Sequence, residues 1–237
     1  MTGSRSSGLF ALTAIVASAA ALAQQPSRPL VLELYTSQGC SSCPPADALL
    51  GELTERADVL PLAFHVDYWD DLGWRDRFSL PAAAQQQRWW AMANGLPDVY
   101  TPQLIIDGRR SVVGSDRAAV IAALREPRTT VAVQAELRDG VVRVSVPART
   151  GTEVYDVYAI AYLPRAATVI ARGENAGRTL TEWNIVRSWH RLGVSRGAAA
   201  VFTIAGNVLP TDASRVAIVL QEAGRGGIAG ASVVKVR

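Results

Sequence analysis

Cysteine, histidine and lysine are nearly missing from this sequence: it holds two cysteines, two histidines and, among 24 basic residues, the single lysine Lys235. Two cysteines are too few for the disulfide scaffold that small exported domains rely on. The two histidines, His65 and His190, and two methionines, one of them Met1, leave few ligands for a transition metal. The formal charge of +3 is close to balance and its arginines are scattered, which argues against a nucleic-acid surface. Beyond Ala23 no apolar run approaches the roughly 20 residues a membrane-spanning helix needs. There is no internal repeat, and no low-complexity segment after the first residues.

What is present begins with "LFALTAIVASAAALA", Leu9 to Ala23, which follows Arg5 and ends in Ala21-Leu22-Ala23. This reads as a secretory signal peptide over residues 1–23, cleaved after Ala23; an uncleaved anchor is the alternative. The expectation is a periplasmic or secreted protein with no membrane association after cleavage.

Two textures follow. In residues 24–127 apolar runs alternate with helical patterns. "LVLELY" and "VLPLAFHV" read as strands, and "PADALLGELTER" between them puts Ala48, Leu49, Leu53 and Ala57 on one helical face. "PAAAQQQRWWAMANG" has Pro81 near its first turn and Gly95 to stop it. "QLIID", an Asp107-Gly108 turn, "RRSVV" and a helix over about 116–124 complete the order strand, helix, strand, helix, strand, strand, helix. Residues 128–237, after a boundary near Pro127, alternate without helical signals. A hairpin through Asp139-Gly140 and further strand-like segments predict an all-β sandwich of seven or eight strands.

The only cysteines sit together in "LYTSQGCSSCPPAD", Cys40 and Cys43, after a strand and at the expected start of a helix. Residues i and i+3 share a helical face within disulfide reach. At a helix N-terminus the free N–H groups favour a thiolate, so Cys40 is expected to be the exposed, low-pKa attacking thiol and Cys43 the resolving one. An inert disulfide is the plain alternative, but a four-residue ring constrains the unfolded chain by only about 2 kcal/mol, against nearly 5 for a ring of about a hundred. A third reading makes the thiolates half of a copper or zinc site.

The strand ending in C-x-x-C at a helix start, the element order and "VYTPQLIIDG" resemble the thioredoxin superfamily over roughly residues 29–125. The whole chain resembles a family of secreted bacterial proteins of unknown function that append a β-rich domain to such a fold. The resemblance implies an α/β thioredoxin-like domain followed by an all-β sandwich-like domain. It also implies a cis proline at Pro102 facing the disulfide, with the Thr101 loop offering backbone to a bound peptide. The superfamily's buried acid beneath the pair is matched by Glu33 if the following turn has gained one residue; a solvent-facing strand Glu is the other reading. Ser41-Ser42 between the cysteines departs from the dipeptides common there, and "DYWDDLGWRDRF", Asp67 to Phe78, is an insertion.

Tyr68 and Trp69 in that insertion suit either the grip on an extended peptide or packing of a lid. His65 reads as a satisfied core histidine, and a Cys-His hydrolase would need a base beside Cys40 that nothing promises. "RGENAGR", Arg172 to Arg178, reads as a hairpin connection or a docking loop. The function expected is exported thiol-disulfide exchange with protein thiols or disulfides, needing no cofactor because the cysteines carry the electrons. A non-catalytic binding module, or a copper- or zinc-handling protein, is the reading from another class.

Overall fold

Local chemistry accounts for where most elements begin and end. The computed structural model describes residues 28–237, so the leader expected over residues 1–23 lies outside the described residues. The first half runs β1 (Leu30–Thr36), α1 (Pro44–Leu53), β2 (Val59–His65), α2 (Pro81–Ala93), β3 (Gln103–Ile106), β4 (Arg110–Val113) and α3 (Arg117–Ala123). Proline opens both α1 and α2, where a missing N–H costs nothing. Asp116 caps α3, its carboxylate accepting from Ala119 N–H at 3.0 Å. Asp107 and Gly108 both take positive φ, 52° and 64°, the conformation of a tight hairpin between β3 and β4.

The second half is β5 (Gln134–Arg138), β6 (Val141–Val146), β7 (Tyr155–Val169), β8 (Thr179–Ser195), β9 (Ala200–Ala205), β10 (Arg215–Glu222) and β11 (Ile228–Lys235). These strands do not form a sandwich of their own. One eight-stranded mixed sheet runs in the order β11-β10-β7-β8-β2-β1-β3-β4, and β5-β6-β9 forms a separate three-stranded sheet. The expected thioredoxin-like α/β domain followed by an independent β-sandwich is therefore corrected, and with it the thioredoxin resemblance drawn from the local motifs. No distinct thioredoxin-like domain is present among the described residues, because the four strands of the first half are one side of a sheet that the second half completes. β2 runs parallel to β1 through seven register pairs and meets β8 on its other edge at Ala63↔Ile185.

The join has a physical cause. Both β1 and β2 are buried along their whole length, so neither can end a sheet at solvent. Pro61 has no N–H for a ladder, which suits the short β2–β8 pairing, and Asn184 Nδ2 donates to the Pro61 carbonyl at 2.8 Å instead. On one face α2 covers a core that mixes the halves: Val31, Leu62, Phe64 and Trp90 with Ile160, Tyr162, Val186 and Ile228. On the other face α1 and α3 pack over Leu32, Leu34 and Leu104. Beside them the small sheet packs Val142 and Val144 on Val157, Ala159 and Ile218. Arg28 ties the far ends together, donating to Asp107 Oδ1 at 2.8 Å and to the Ile228 carbonyl at 2.7 Å while buried.

The α1 face differs in detail from the helical pattern. Leu49 and Leu53 are buried as expected, joined by Ala46, Asp47 and Leu50, whereas Ala48 is exposed and Ala57 lies past the helix end. Gly51 is a close approach: a Cβ there would stand 2.4 Å from Trp183 Nε1 of β8.

A chain ending at Arg128 is expected to lose its fold, because it strips β8 from β2 and removes half of the α2-face core. Urea unfolding followed by near-UV circular dichroism should show no cooperative transition; a sharp one would mean that the first half closes its own sheet.

Candidate functional site

β1 delivers the chain at Thr36 to a tight turn, Ser37 to Cys43, before α1 begins. Cys40 N–H donates to the Ser37 carbonyl at 3.1 Å, and the Cys43 carbonyl accepts from Ala46 and Asp47 N–H at 2.9 and 3.1 Å. Cys43 is thus the N-cap of α1, and Cys40 lies ahead of the helix rather than in its first turn. The two are joined in a disulfide with Cα atoms 5.4 Å apart. Both residues are 0 % exposed while Ser41 and Ser42 between them face solvent, so the expectation of an exposed Cys40 is corrected. The Ser42 hydroxyl lies 3.4 Å from Cys40 Sγ.

Three segments far apart in sequence meet over this turn. The Thr101–Pro102 bond is cis, Pro102 is buried, and its carbonyl accepts from Gly114 N–H at 2.9 Å. A Cβ at Gly114 would stand 3.1 Å from Ala46 and 3.4 Å from Pro102, which sets the proline loop against the first turn of α1. Trp69 Nε1 donates to Thr101 Oγ1 at 2.9 Å, and a Cβ on Gly39 would stand 3.0 Å from Trp69 Cβ. Tyr68 OH donates to Gln87 Oε1 at 3.2 Å. The insertion Asp67–Phe78 is accordingly packed against both loops, with Asp76 and Phe78 buried. The third segment is the tip of the β7–β8 hairpin, whose Arg172–Arg178 stretch docks on the turn: Asn175 Nδ2 donates to the carbonyls of Gln38 and Cys40 at 3.0 and 2.9 Å.

Beneath the turn lies a buried polar network for which the sequence had named only His65. His65 Nδ1 donates to Asp76 Oδ2 at 2.7 Å and stands 3.9 Å from Glu182. Gln38 is the hub: its N–H donates to Asp76 Oδ2 at 2.8 Å, its Nε2 to Glu182 Oε2 at 2.9 Å and Thr168 Oγ1 at 3.0 Å, and its Oε1 accepts from Trp74 Nε1 at 3.0 Å. Asp47, one helical turn after Cys43, accepts from Thr36 Oγ1 at 2.8 Å. It also lines an open groove of about 690 Å³ between α1 and the hairpin, beside Pro44 and Trp183.

The charges in this network are strongly coupled. Burial works against a charged His65, but Asp76, Glu182 and Asp47 outweigh it and hold its pKa at about 9. Asp76 is held below the usual carboxylate range: burial opposes ionisation, and His65 with the N–H groups of Gln38 and Phe78 overcomes it. Burial pushes Glu182 up, and Asp47 up to about 7, against the pull of His65 and Thr36. His65 Nε2 is buried and has no hydrogen-bond partner among the described residues. His65, Asp76 and Glu182 are the one group among the described residues whose ligand atoms come within 4.8 Å of one another. Asp76 Oδ2 and Glu182 Oε2 already accept from protein donors, which ties these side chains into a hydrogen-bonded charge network.

Glu33 stands elsewhere. It is buried in β1, and burial with the neighbouring Asp107 carboxylate pushes its pKa up to about 8. Asp107 pairs with Val31, toward the start of β1 and away from the cysteine turn. The buried acid nearest Cys43 along the chain is Asp47, whose N–H donates to the Cys43 carbonyl. The signal for it was its i+4 spacing from Cys43 on α1, which places the two on one helical face.

Several comparisons place the chain among known proteins. A family model described as "Protein of unknown function (DUF1223)" matches residues 31–221. A solved structure from Agrobacterium tumefaciens is 29% identical with a TM-score of 0.78, covering 90% of this chain and 96% of its own. HBP35 of Porphyromonas gingivalis shares the fold at 12% identity and a TM-score of 0.59, covering 88% of this chain and 75% of its own. No curated protein matches the chain.

Above pH 3.8 the raised groups make stability depend on pH in one direction, whereas Asp76, held below 3.8, acts the opposite way in acid, its contribution being lost as pH falls below that value. Asp47 rises from 3.8 to about 7 on folding, so the folded state binds the extra proton, and the stability this gives is full below pH 3.8 and lost as pH rises through about 7. Glu33 acts alike between 4.5 and about 8, and His65 between 6.5 and about 9. From pH 3.8 upward the unfolding free energy is expected to fall toward alkaline pH. Asp47→Asn should flatten the part below about 7, measured by urea unfolding across the pH range.

Proposed function

The chain belongs to the DUF1223 family, whose description assigns no activity, and we propose that it is an exported thiol-disulfide oxidoreductase in which Cys40 exchanges with partners and Cys43 resolves. The observation that carries this reading is the pairing of a closed Cys40–Cys43 disulfide with a proton-holding carboxyl one turn along the same helix. A stabilising cross-link would join distant strands, whereas this ring spans three residues and adds little to the fold. A buried carboxylic acid that keeps its proton to about pH 7 costs stability above that pH, and acid–base work at the neighbouring sulfur gives it a use.

In the oxidising direction a partner thiolate attacks Cys40 Sγ. The Cys40–Cys43 bond breaks, its electron pair goes to Cys43, and Asp47 gives that thiolate its proton. A second partner thiol attacks the partner sulfur of the mixed disulfide and expels Cys40 as a thiolate, to which the Ser42 hydroxyl can donate. The partner leaves oxidised by two electrons, and the chain keeps the Cys43 thiol and the Cys40 thiolate. Run backward, Cys40 attacks a partner disulfide and Asp47 takes the proton from Cys43. No cofactor enters, since sulfur carries the electrons. Partners are protein thiols or disulfides outside the cytoplasm, a location that rests on the leader sequence.

Cys43→Ala is expected to trap partners on Cys40 as mixed disulfides that reductant releases, and to cut turnover by at least about a hundredfold, the loss of an intramolecular thiol. Cys40→Ala should trap nothing. Non-reducing gels of the exported fraction read both outcomes, and identical behaviour of the two variants would sink the assignment.

A further inference from the structure

With both cysteines fully buried, no partner sulfur reaches Cys40 until something over it moves. The tip of the β7–β8 hairpin lies on the main chain of the cysteine turn. Asn175 is 0 % exposed and donates through Nδ2 to the Gln38 and Cys40 carbonyls at 3.0 and 2.9 Å. Glu174 Oε2 accepts from Ser41 N–H at 3.1 Å. Every group held on the turn is therefore a main-chain group, two acceptors and one donor. These are what an extended polypeptide uses when it docks by its backbone.

The tip is built as a unit that can leave. It closes on itself through Gly177 N–H to the Ile170 carbonyl at 2.8 Å and Ile170 N–H to the Arg178 carbonyl at 2.9 Å. Apart from Asn175, residues 171–178 are exposed. Gly173, at φ 79°, presses its bare backbone on Trp74, where a Cβ would stand 3.0 Å from Trp74 Cβ, so no side chain at 173 anchors the tip.

We infer that Asn175 and Glu174 set the substrate class of this site, selecting a cysteine carried on an extended, unfolded polypeptide segment over a small free thiol. A peptide flanking the attacking sulfur supplies N–H groups for the Gln38 and Cys40 carbonyls and a carbonyl for Ser41 N–H, and so replaces the tip bond for bond. A small thiol offers no such replacement and must wait for the tip to lift unaided, its hydrogen bonds being exchanged for bonds to water alone. The inference rests on the redox reading of Cys40 and goes beyond it by naming what the disulfide accepts.

The test compares rates at which the oxidised full chain is opened by glutathione and by an unstructured peptide carrying one cysteine, at equal thiolate concentration. With each hydrogen bond worth a factor of about three, the wild type should favour the peptide by about tenfold or more. Asn175→Ala should speed glutathione by about tenfold and the peptide by under about threefold, so that the preference collapses. Glu174→Gln, at an exposed position that leaves folding intact, should act the same way at about threefold. Equal rates for the two reagents in the wild type, or variants that leave both rates unchanged or speed them by one common factor, would overturn the inference while the redox reading stood. A folded wild-type chain opened by neither reagent would overturn the redox reading and this one together.

Discussion

The rest of the structure depends on the meeting of β8 with β2. The ladder between them is a single register pair, Ala63↔Ile185, yet it turns two halves of the chain into one sheet and lets α2 bury residues from both. It also fixes where the outer part of the β7–β8 hairpin goes. β8 is 17 residues long, and its first residues, Thr179 to Trp183, stay paired with β7 and run along α1. Trp183 lies on Gly51 there, the one position of α1 with no side chain to refuse it. That contact brings Glu182 under the cysteine turn and the hairpin tip over it. The second half of the chain therefore supplies both floor and cover to a motif that belongs to the first.

Burying His65, Asp76, Glu182 and Asp47 together is costly, and Gln38 explains how the cost is met. Its backbone N–H and side-chain amide satisfy Asp76 and Glu182, and Trp74 takes its remaining oxygen. A buried ion pair repays its desolvation only when its remaining hydrogen bonds are made. His65 and Asp76 meet that condition, since Asp76 accepts three bonds, from His65, Gln38 and Phe78. Asp47 does not: with Thr36 as its one side-chain donor it keeps its proton to about pH 7. One buried cluster thus holds one carboxylate firmly charged and a second poised near neutrality, the difference being set by the number of donors each one faces.

Signals confined to neighbours in sequence were legible: the buried strands around Leu30 and Val59, the proline starts of α1 and α2, the Asp-Gly turns and the helix over about 116–124. What depends on long-range pairing was not. The alternation of "VYDVYAIAYL" marks a strand but cannot say that it continues past Pro164 to Val169 or which sheet it joins. The fold class was misjudged at that point, because a full set of local motifs in the first half reads like a closed domain until β8 is seen on the edge of β2. The site was read in part. The cysteine pair is local, whereas Asp76, Glu182 and Asn175 gain meaning only from the packing of the insertion and the hairpin. Glu33 was chosen for its distance along the strand before Cys40, and the strand carries it toward Asp107 instead.

Covering and proton storage draw on the same resource, exclusion of water. Admitting solvent to the whole site would return Asp47 toward an ordinary carboxylate, and the proton that the proposed exchange assigns to Cys43 would be lost to bulk. The contacts separate the two jobs. The tip bonds only to Gln38, Cys40 and Ser41, on the side of the turn where a partner would arrive. Asp47 is held by Thr36 at the end of β1 and makes no hydrogen bond to the tip among the described residues. Lifting the tip therefore uncovers Cys40 without breaking any hydrogen bond to Asp47. Gln38 is the one residue that belongs to both sides, with its carbonyl under Asn175 and its side chain on Glu182. Whatever takes the place of the tip must leave that side chain where it is, and a peptide that bonds only to the carbonyl does so.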